Sequence, residues 1–498
     1  MNITELFFQA AATYPERLAI VESGRAIDYR TLAAEVRATA AYFLRQGIQR
    51  GDRVLVFVPM SIDLYRIVLA LFYVGATAVF LDAWVSRARL RVCCAMADCR
   101  GFIGVWKARL YAWITPVLRR IPVHLRLRGR TEAPVAPADL PPDAPALITF
   151  TTGSTGAPKA AERTHGFLRA QFAALLTEIN PQPTDVDLPT LPILLFVNLG
   201  VGCTSIIADY KRTRPDKLRP ERIIHQLQQH RVSRLTASPY FVRRVAEALL
   251  AEGTTLPGLQ KVFTGGAPVF PAEARLYLTA FAKAKTTIVY GSTEAEPISS
   301  IPADALAKTA IRAEGLPVGV PFEDILLKII PISTDPIVVE DQNALTQLAL
   351  PEGEIGEIIV AGAHVNARYF RNPAAFRANK ITAGDTVWHR TGDSGFLRNG
   401  QLYLTGRCGQ LIRRNGKWLA PFLIERQLQT LPGITAGTLL EIADQLVLVV
   451  ESRESAPVVD VDFSYDRLVV LSRLPRDPRH HSKLDYAALA NTVRSGTL

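Results

Sequence analysis

The sequence predicts an α/β protein (α+β in its two-domain arrangement). A large N-terminal domain, residues 1–406, carries αβα layered sheets and a β-rich subdomain; a small αβ domain, 407–498, follows it. Three patterns predict this. Short apolar strands alternate with amphipathic helices in the first third, which demands crossover connections and hence parallel strands. In the middle, strands run into polar, Gly-rich turns, where open α/β sheets collect ligand groups. Past Gly353 strands dominate, and beyond Arg407 a separate small αβ pattern begins.

Taken in order, RLAIVES and RAIDYR flank Ser23-Gly24, a hairpin signal. The stretch from Tyr29 to Gly47 has helical spacing and stops at glycine, and GDRVLVFVP follows as a buried strand. DLYRIVLALFYVG reads as a helix and ATAVFLD as a strand. Residues 131–145 form a Pro/Ala/Asp linker ahead of the strand ALITFTT. RVSRLTASP, LQKVFTGGAP and KTTIVYGSTEAEP are strand-to-turn units, and EIGEIIVAG and QLYLTGR are later strands. The longest apolar runs, Ile67–Leu81 and Ile193–Ile207, are 15 residues each. A membrane-spanning helix needs roughly 20. Glycines interrupt both runs, so they read as buried helix–turn–strand segments.

The composition, 48% hydrophobic and 21% charged, excludes disordered, collagen-like and coiled-coil chains. Five cysteines (Cys93, Cys94, Cys99, Cys203, Cys408) without CxxC spacing argue against a disulfide scaffold or zinc ribbon. A reducing, cytoplasmic setting is expected, since MNITELFFQA also lacks signal-peptide character. The net charge of +11 is concentrated: residues 84–130 hold ten Arg and one Lys against one Asp. The nearly neutral remainder disfavours a generally basic, nucleic-acid-binding surface. Phe102, Trp106, Tyr111 and Trp113 interleave with these cations. That mixture fits an amphipathic element on an anionic membrane or against a pathway enzyme; a solvated arginine face over a core-facing helix is the plainer alternative.

Four segments carry chemistry. Thr151-Thr152-Gly153-Ser154-Thr155-Gly156-Ala157-Pro158-Lys159 follows a buried strand. Small and hydroxylated residues let backbone N–H groups converge on an anion, and Lys159 adds a cation, as holding β- and γ-phosphates requires. A Walker A loop is excluded, because Pro158 precedes the lysine and Ala160 follows it. Tyr290-Gly291-Ser292-Thr293-Glu294 offers a ring to stack on a purine and a carboxylate for Mg²⁺ bridging phosphates. Thr391-Gly392-Asp393, followed by Gly406-Arg407, offers a carboxylate for ribose hydroxyls with an Arg to assist. Gly392-Asp393 alone also fits an ordinary turn. The fourth segment, Pro475–Tyr486, reads alone as a charged tail, and its His480-His481 pair lacks a further ligand at usable metal spacing.

In this order the segments resemble the acyl-adenylating superfamily of acyl-CoA synthetases, peptide-synthetase adenylation domains and luciferases, from about residue 3 to 490. The resemblance implies that Thr151–Lys159 holds ATP phosphates, with Thr152 among the catalytic residues, and that Glu294 binds Mg²⁺. Tyr290 and Gly265-Gly266-Ala267 would sandwich adenine, and Asp393 would hold the ribose with Arg407. Gly409 falls at the hinge about which a mobile C-terminal domain turns, where the family has Asp or Lys. Lys483 matches the lysine that contacts carboxylate and α-phosphate, here preceded by His481-Ser482 rather than Ser-Gly. LPTLPILLFVNLGVGCTSIIADYKRTRP, YGSTEAEPISSI, KITAGDTVWHRTGDSGFL and RDPRHHSK are similar to one branch, the β-lactone synthetases of bacterial olefin pathways; like sequences are also called fatty acyl-CoA ligases.

The implied activity is ATP-dependent, AMP-forming activation of a long-chain fatty acid or β-hydroxy fatty acid. Its adenylate would pass to CoA or close to a β-lactone, and Leu191–Ile207 would line an acyl channel or simply form core. Alternatives are a ligase that loads a carrier protein, a catalytically silent acyl- or nucleotide-binding scaffold, and a P-loop NTPase releasing ADP.

Overall fold

A computed structural model of the chain describes residues 2–81, 86–127, 135–152, 158–210, 214–310, 314–454, 457–461, 463–476 and 484–495. The strand–helix alternation folds as expected into parallel sheet. In the smaller of the two main sheets the strand order is Val123–Leu125, Gly101–Gly104, Arg53–Phe57, Thr77–Phe80, Pro145–Thr152, Pro158–Thr164. All neighbours are parallel except the last pair. The hairpin of Leu18–Glu22 and Arg25–Asp28 edges the larger sheet, whose parallel half runs through Thr204–Ile206, Val186–Pro189, Arg234–Ala237 and Lys261–Gly265 to Lys285–Ser292.

Helices fill the space between the sheets. Asp28 caps Tyr29–Arg45 by accepting from the Thr31 N–H at 2.6 Å, and Ser61 caps Ile62–Tyr73 through the Leu64 N–H. Such caps satisfy amides that a helix start leaves unpaired. Every side chain of Ile62–Tyr73 except Asp63 is buried, the charged Arg66 through ion pairs with Asp63 and Glu35. One core joins it to strands of both sheets, with Ile20, Val54, Ala78 and Ala146, and to Leu195 and Leu199 of the helix Pro192–Val201. The run 193–207 is therefore helix, turn and strand, partly core and partly cleft wall.

The expected β-rich part starts earlier than Gly353. After Glu294 the chain doubles back as Ala295–Pro302, antiparallel to Lys285–Ser292, and the larger sheet continues antiparallel through Leu316–Pro321, Gln401–Arg407, Thr386–Arg398 and Gly356–Ala361. A tight hairpin replaces the crossover helix there, so strand direction inverts without opening a new sheet.

Past Arg407 a three-stranded sheet, Ile434–Ile442, Gln445–Ser452 and Arg467–Leu471, is covered by the helices Pro421–Leu428 and Tyr486–Ser495. Phe422 joins it to the larger body, with its ring 5.3 Å from that of Phe270. Glu425 ties the two helices: its carboxylate accepts from Thr438 Oγ1 at 3.1 Å and from the Tyr486 hydroxyl. Burial pushes the Glu425 carboxyl up to about 7, against the two hydrogen bonds. The folded state thus holds a proton the unfolded chain would release. Stability from this group is full below pH 4.5 and is lost as pH rises through about 7. Glu425→Gln is expected to flatten this dependence, worth up to about 3 kcal/mol. Urea unfolding of both proteins at pH 5 and pH 8 checks it, and a wild-type midpoint no more pH-sensitive than the variant's would refute it.

All five cysteines are free. No helix among the described residues is long and apolar enough to cross a membrane.

Candidate active site

Three strand ends meet at one cleft. Strands Lys261–Gly265 and Lys285–Ser292 run parallel with Gly265 opposite Val289. A Cβ on Gly265 would sit 2.5 Å from the Val289 carbonyl oxygen, so only glycine permits this approach, and Gly266 turns the chain at φ +86°. The Gly265-Gly266-Ala267 backbone is thereby presented to the cleft.

Opposite it, strands Thr386–Arg398 and Gln401–Arg407 pair Asp393 with Arg407. Arg407 Nε lies 3.1 Å from Asp393 Oδ1, and the Tyr290 hydroxyl donates to Asp393 Oδ2 at 2.8 Å. Arg407 Nη1 also donates to the Thr391 carbonyl at 3.1 Å. The Asp393 charge raises the guanidinium pKa, and burial followed by Asp393 drives the Tyr290 phenol well above its usual value. Both stay protonated, so the pair and the phenol form a fixed donor–acceptor cluster. Asp393 does not sit in a turn: it lies inside a 13-residue strand. Gly392 at φ +69° and a bulge beside Ser394 distort that strand locally, as bulges do where a side chain is re-aimed.

Glu294 stands in the turn between Ser292 and Ala295. Its Oε1 accepts from the Tyr369 hydroxyl at 3.2 Å, and its backbone carbonyl accepts from the Asn366 N–H. Arg163 Nη2 donates to the Thr293 carbonyl at 2.7 Å and holds the turn from below. Lys159 Nζ donates to Asn379 Oδ1 at 2.6 Å. Burial lowers the Lys159 pKa, Glu294 pulls it back up, and Arg407 pushes it down again. These charges therefore share one electrostatic neighbourhood.

The sequence-predicted residues Lys159, Gly265, Gly266, Ala267, Tyr290, Gly291, Ser292, Thr293, Glu294, Asp393 and Arg407 all line one cleft of about 2200 Å³. Thr151 and Thr152 end the strand Pro145–Thr152, paired with Lys159 and Pro158. Gly153, Ser154, Thr155, Gly156 and Lys483 lie outside the described residues. Arg476 and Leu484, which bracket the segment with Lys483, form an antiparallel bridge and line the cleft.

Sequence reasoning missed Tyr369, Asn379 and Lys380. Lys380 is 3% exposed and donates to the Asn366 carbonyl; burial pushes its ammonium down to about 7, against the pull of Glu294. Only the folding of 366–380 across Pro158–Thr164, through the Ala161–Tyr369 bridge, brings these residues to Glu294. The same cleft continues along apolar side chains, among them Leu191, Ile193, Phe196 and Ile207.

Layered α/β sheets with a polar cleft at the ends of their parallel strands define a nucleotide-binding α/β enzyme. The chain belongs to the AMP-binding enzyme family, whose model matches residues 7–370, and is an AMP-forming acid ligase. It is 30% identical to an olefin β-lactone synthetase of Stenotrophomonas maltophilia, over 98% of this chain and 97% of that protein. It is 32% identical to an olefin β-lactone synthetase of Xanthomonas campestris pv. campestris, over 76% of this chain and 72% of the relative. ATP-bound MatB from Rhodopseudomonas palustris shares the fold, with a TM-score of 0.81 over the full length of both chains at 22% identity.

Proposed function

We propose that this ligase activates a long-chain fatty acid bearing a β-hydroxyl, and that the hydroxyl then closes a β-lactone on the adenylate. The observation that carries this reading is one cleft lined by two unlike sets of side chains, the charged Glu294, Asp393 and Arg407 and the apolar Leu191, Ile193, Phe196 and Ile207. The lactone synthetases among its relatives point the same way.

In this reading Thr151, Thr152, Gly153, Ser154, Thr155, Gly156 and Lys159 hold the β- and γ-phosphates, through backbone N–H groups, hydroxyls and one cation. Gly265-Gly266-Ala267 and Tyr290 flank adenine, and Gly291, Ser292 and Thr293 shape the strand end beneath it. Each Asp393 oxygen has one protein partner and a lone pair left for a ribose hydroxyl, while Arg407, held by Asp393 and the Thr391 carbonyl, sets its charge beside the ribose. Glu294 suits Mg²⁺: Tyr369 occupies only Oε1, and a single carboxylate plus substrate phosphates is how proteins commonly hold this ion. Bound there, Mg²⁺ would offset phosphate charge. Lys483 contacts the carboxylate and the α-phosphate, and residues 407–498 act as a lid turning at Gly409, where an added Cβ would meet nothing.

The acid's oxygen attacks the α-phosphorus in line and pyrophosphate leaves. Little covalent work falls to the protein, which positions the reactants and stabilises charge. In the second step the β-hydroxyl oxygen bonds to the activated carbonyl carbon, AMP departs, and the hydroxyl proton is lost. A dry apolar pocket protects the anhydride from water meanwhile. The enzyme would work in the cytoplasm, with the basic stretch 84–130 as a surface for peripheral contact.

Purified protein with ATP, Mg²⁺ and racemic β-hydroxy acids is expected to yield AMP, pyrophosphate and lactone without CoA. A thioester formed only when CoA is added would overturn lactone closure and make the protein a CoA ligase. ADP and phosphate as products would overturn adenylation itself.

A further inference from the structure

We propose that the helix Trp106–Ile114 is a membrane-surface anchor that seats one wall of the cleft on an anionic phospholipid bilayer. Its apolar residues face the wrong way for a core helix. Trp106, Leu110, Trp113 and Ile114, at helical spacings of four, seven and eight, are 69%, 55%, 69% and 61% exposed. Ala112, on the opposite side, is fully buried. Single exposed apolar side chains are ordinary; a contiguous stripe of two tryptophans, a leucine and an isoleucine marks a contact surface.

Charge selects the contact. Lys107 and Arg109 are exposed on the two flanks of the stripe, and Arg87, Arg91, Arg119 and Arg120 are exposed on the adjoining helices and turn. Asp98 is the one acidic residue between positions 84 and 130, and its carboxylate already faces Arg53 and Arg371. Tryptophans between arginines suit the headgroup layer, where the rings sit at the interface and the cations meet anionic lipid.

The inward face of the same helix supplies the link to chemistry. Ala108 and Tyr111 line the cleft, as do Leu81, Leu90 and Val105. A helix that is cleft wall on one side and lipid-facing on the other would let a long acyl chain pass between bilayer and enzyme with little exposure to water. This delivery role rests on the long-chain reading above; bilayer binding does not.

The test uses the full chain and vesicles of equal parts phosphatidylglycerol and phosphatidylcholine, read without ATP. Sedimentation with these vesicles is expected to exceed that with phosphatidylcholine alone by at least about tenfold, and to fall with added salt. Tryptophan emission should shift to the blue. Trp106→Glu/Trp113→Glu should lose both signals while forming AMP from a short, water-soluble β-hydroxy acid at the wild-type rate. That retained activity also reports folding. Equal sedimentation with neutral vesicles, none with either, or full binding by the double variant would overturn the proposal. Vesicle binding by a protein that makes no lactone would refute only the functional reading.

Discussion

Replacing Lys483 with alanine is expected to slow acyl-adenylate formation at least about a hundredfold, the scale of losing one charged contact to a transition state. The reasoning is electrostatic. In-line attack on the α-phosphorus brings a carboxylate against an already anionic phosphate, and the charge there peaks as pyrophosphate departs. A cation delivered to that point stabilises the transition state more than either ground state, so the loss should appear in turnover more than in nucleotide affinity. Arg476 and Leu484, on either side of the segment carrying Lys483, line the cleft. Wild-type pyrophosphate release by Lys483→Ala would remove the residue from the mechanism.

What the sequence disclosed, and what it hid, follows from how local each feature is. The strands around the cleft were legible because a buried parallel strand is a short apolar run and its turn is rich in glycine. The candidate residues Lys159, Tyr290, Glu294, Asp393 and Arg407 stood out because each belongs to a short segment of unusual local composition. Tyr369, Asn379 and Lys380 carried no such mark. Their roles arise from tertiary packing, when 366–380 crosses Pro158–Thr164 and sets a phenol and a buried ammonium beside Glu294. Asp393 was recognisable as a candidate yet fits a turn by local propensity, because a bulged strand and a tight turn favour the same Gly-Asp pair. The direction in which Trp106 and Trp113 face was left open. An amphipathic surface element and a core-facing helix under an arginine face both fit the spacing, and the packing of Ala112 against the sheet turns the tryptophans outward.

Glu294→Gln is expected to lower adenylation about a hundredfold at moderate Mg²⁺, with part of the loss recovered as Mg²⁺ is raised. The substitution is nearly isosteric, and an amide oxygen can still accept from the Tyr369 hydroxyl, so the turn from Ser292 to Ala295 should keep its shape. What disappears is the charge, and that charge has two roles to lose. One is to hold Mg²⁺ against the phosphates. The other is to favour protonation of Lys159 and Lys380, both of which burial pushes toward the neutral form. With Glu294 neutral, the two ammonium groups should titrate at lower pH, and any activity that depends on the Lys159 cation should be lost earlier on the alkaline side. Initial rates over a Mg²⁺ series, repeated at pH 6.5 and 8.5, separate the roles: the first changes the Mg²⁺ requirement, and the second moves the alkaline limb of the profile. An unchanged Mg²⁺ requirement beside a displaced alkaline limb would leave the carboxylate as the partner of Tyr369 and the two lysines, and would take the metal away from it.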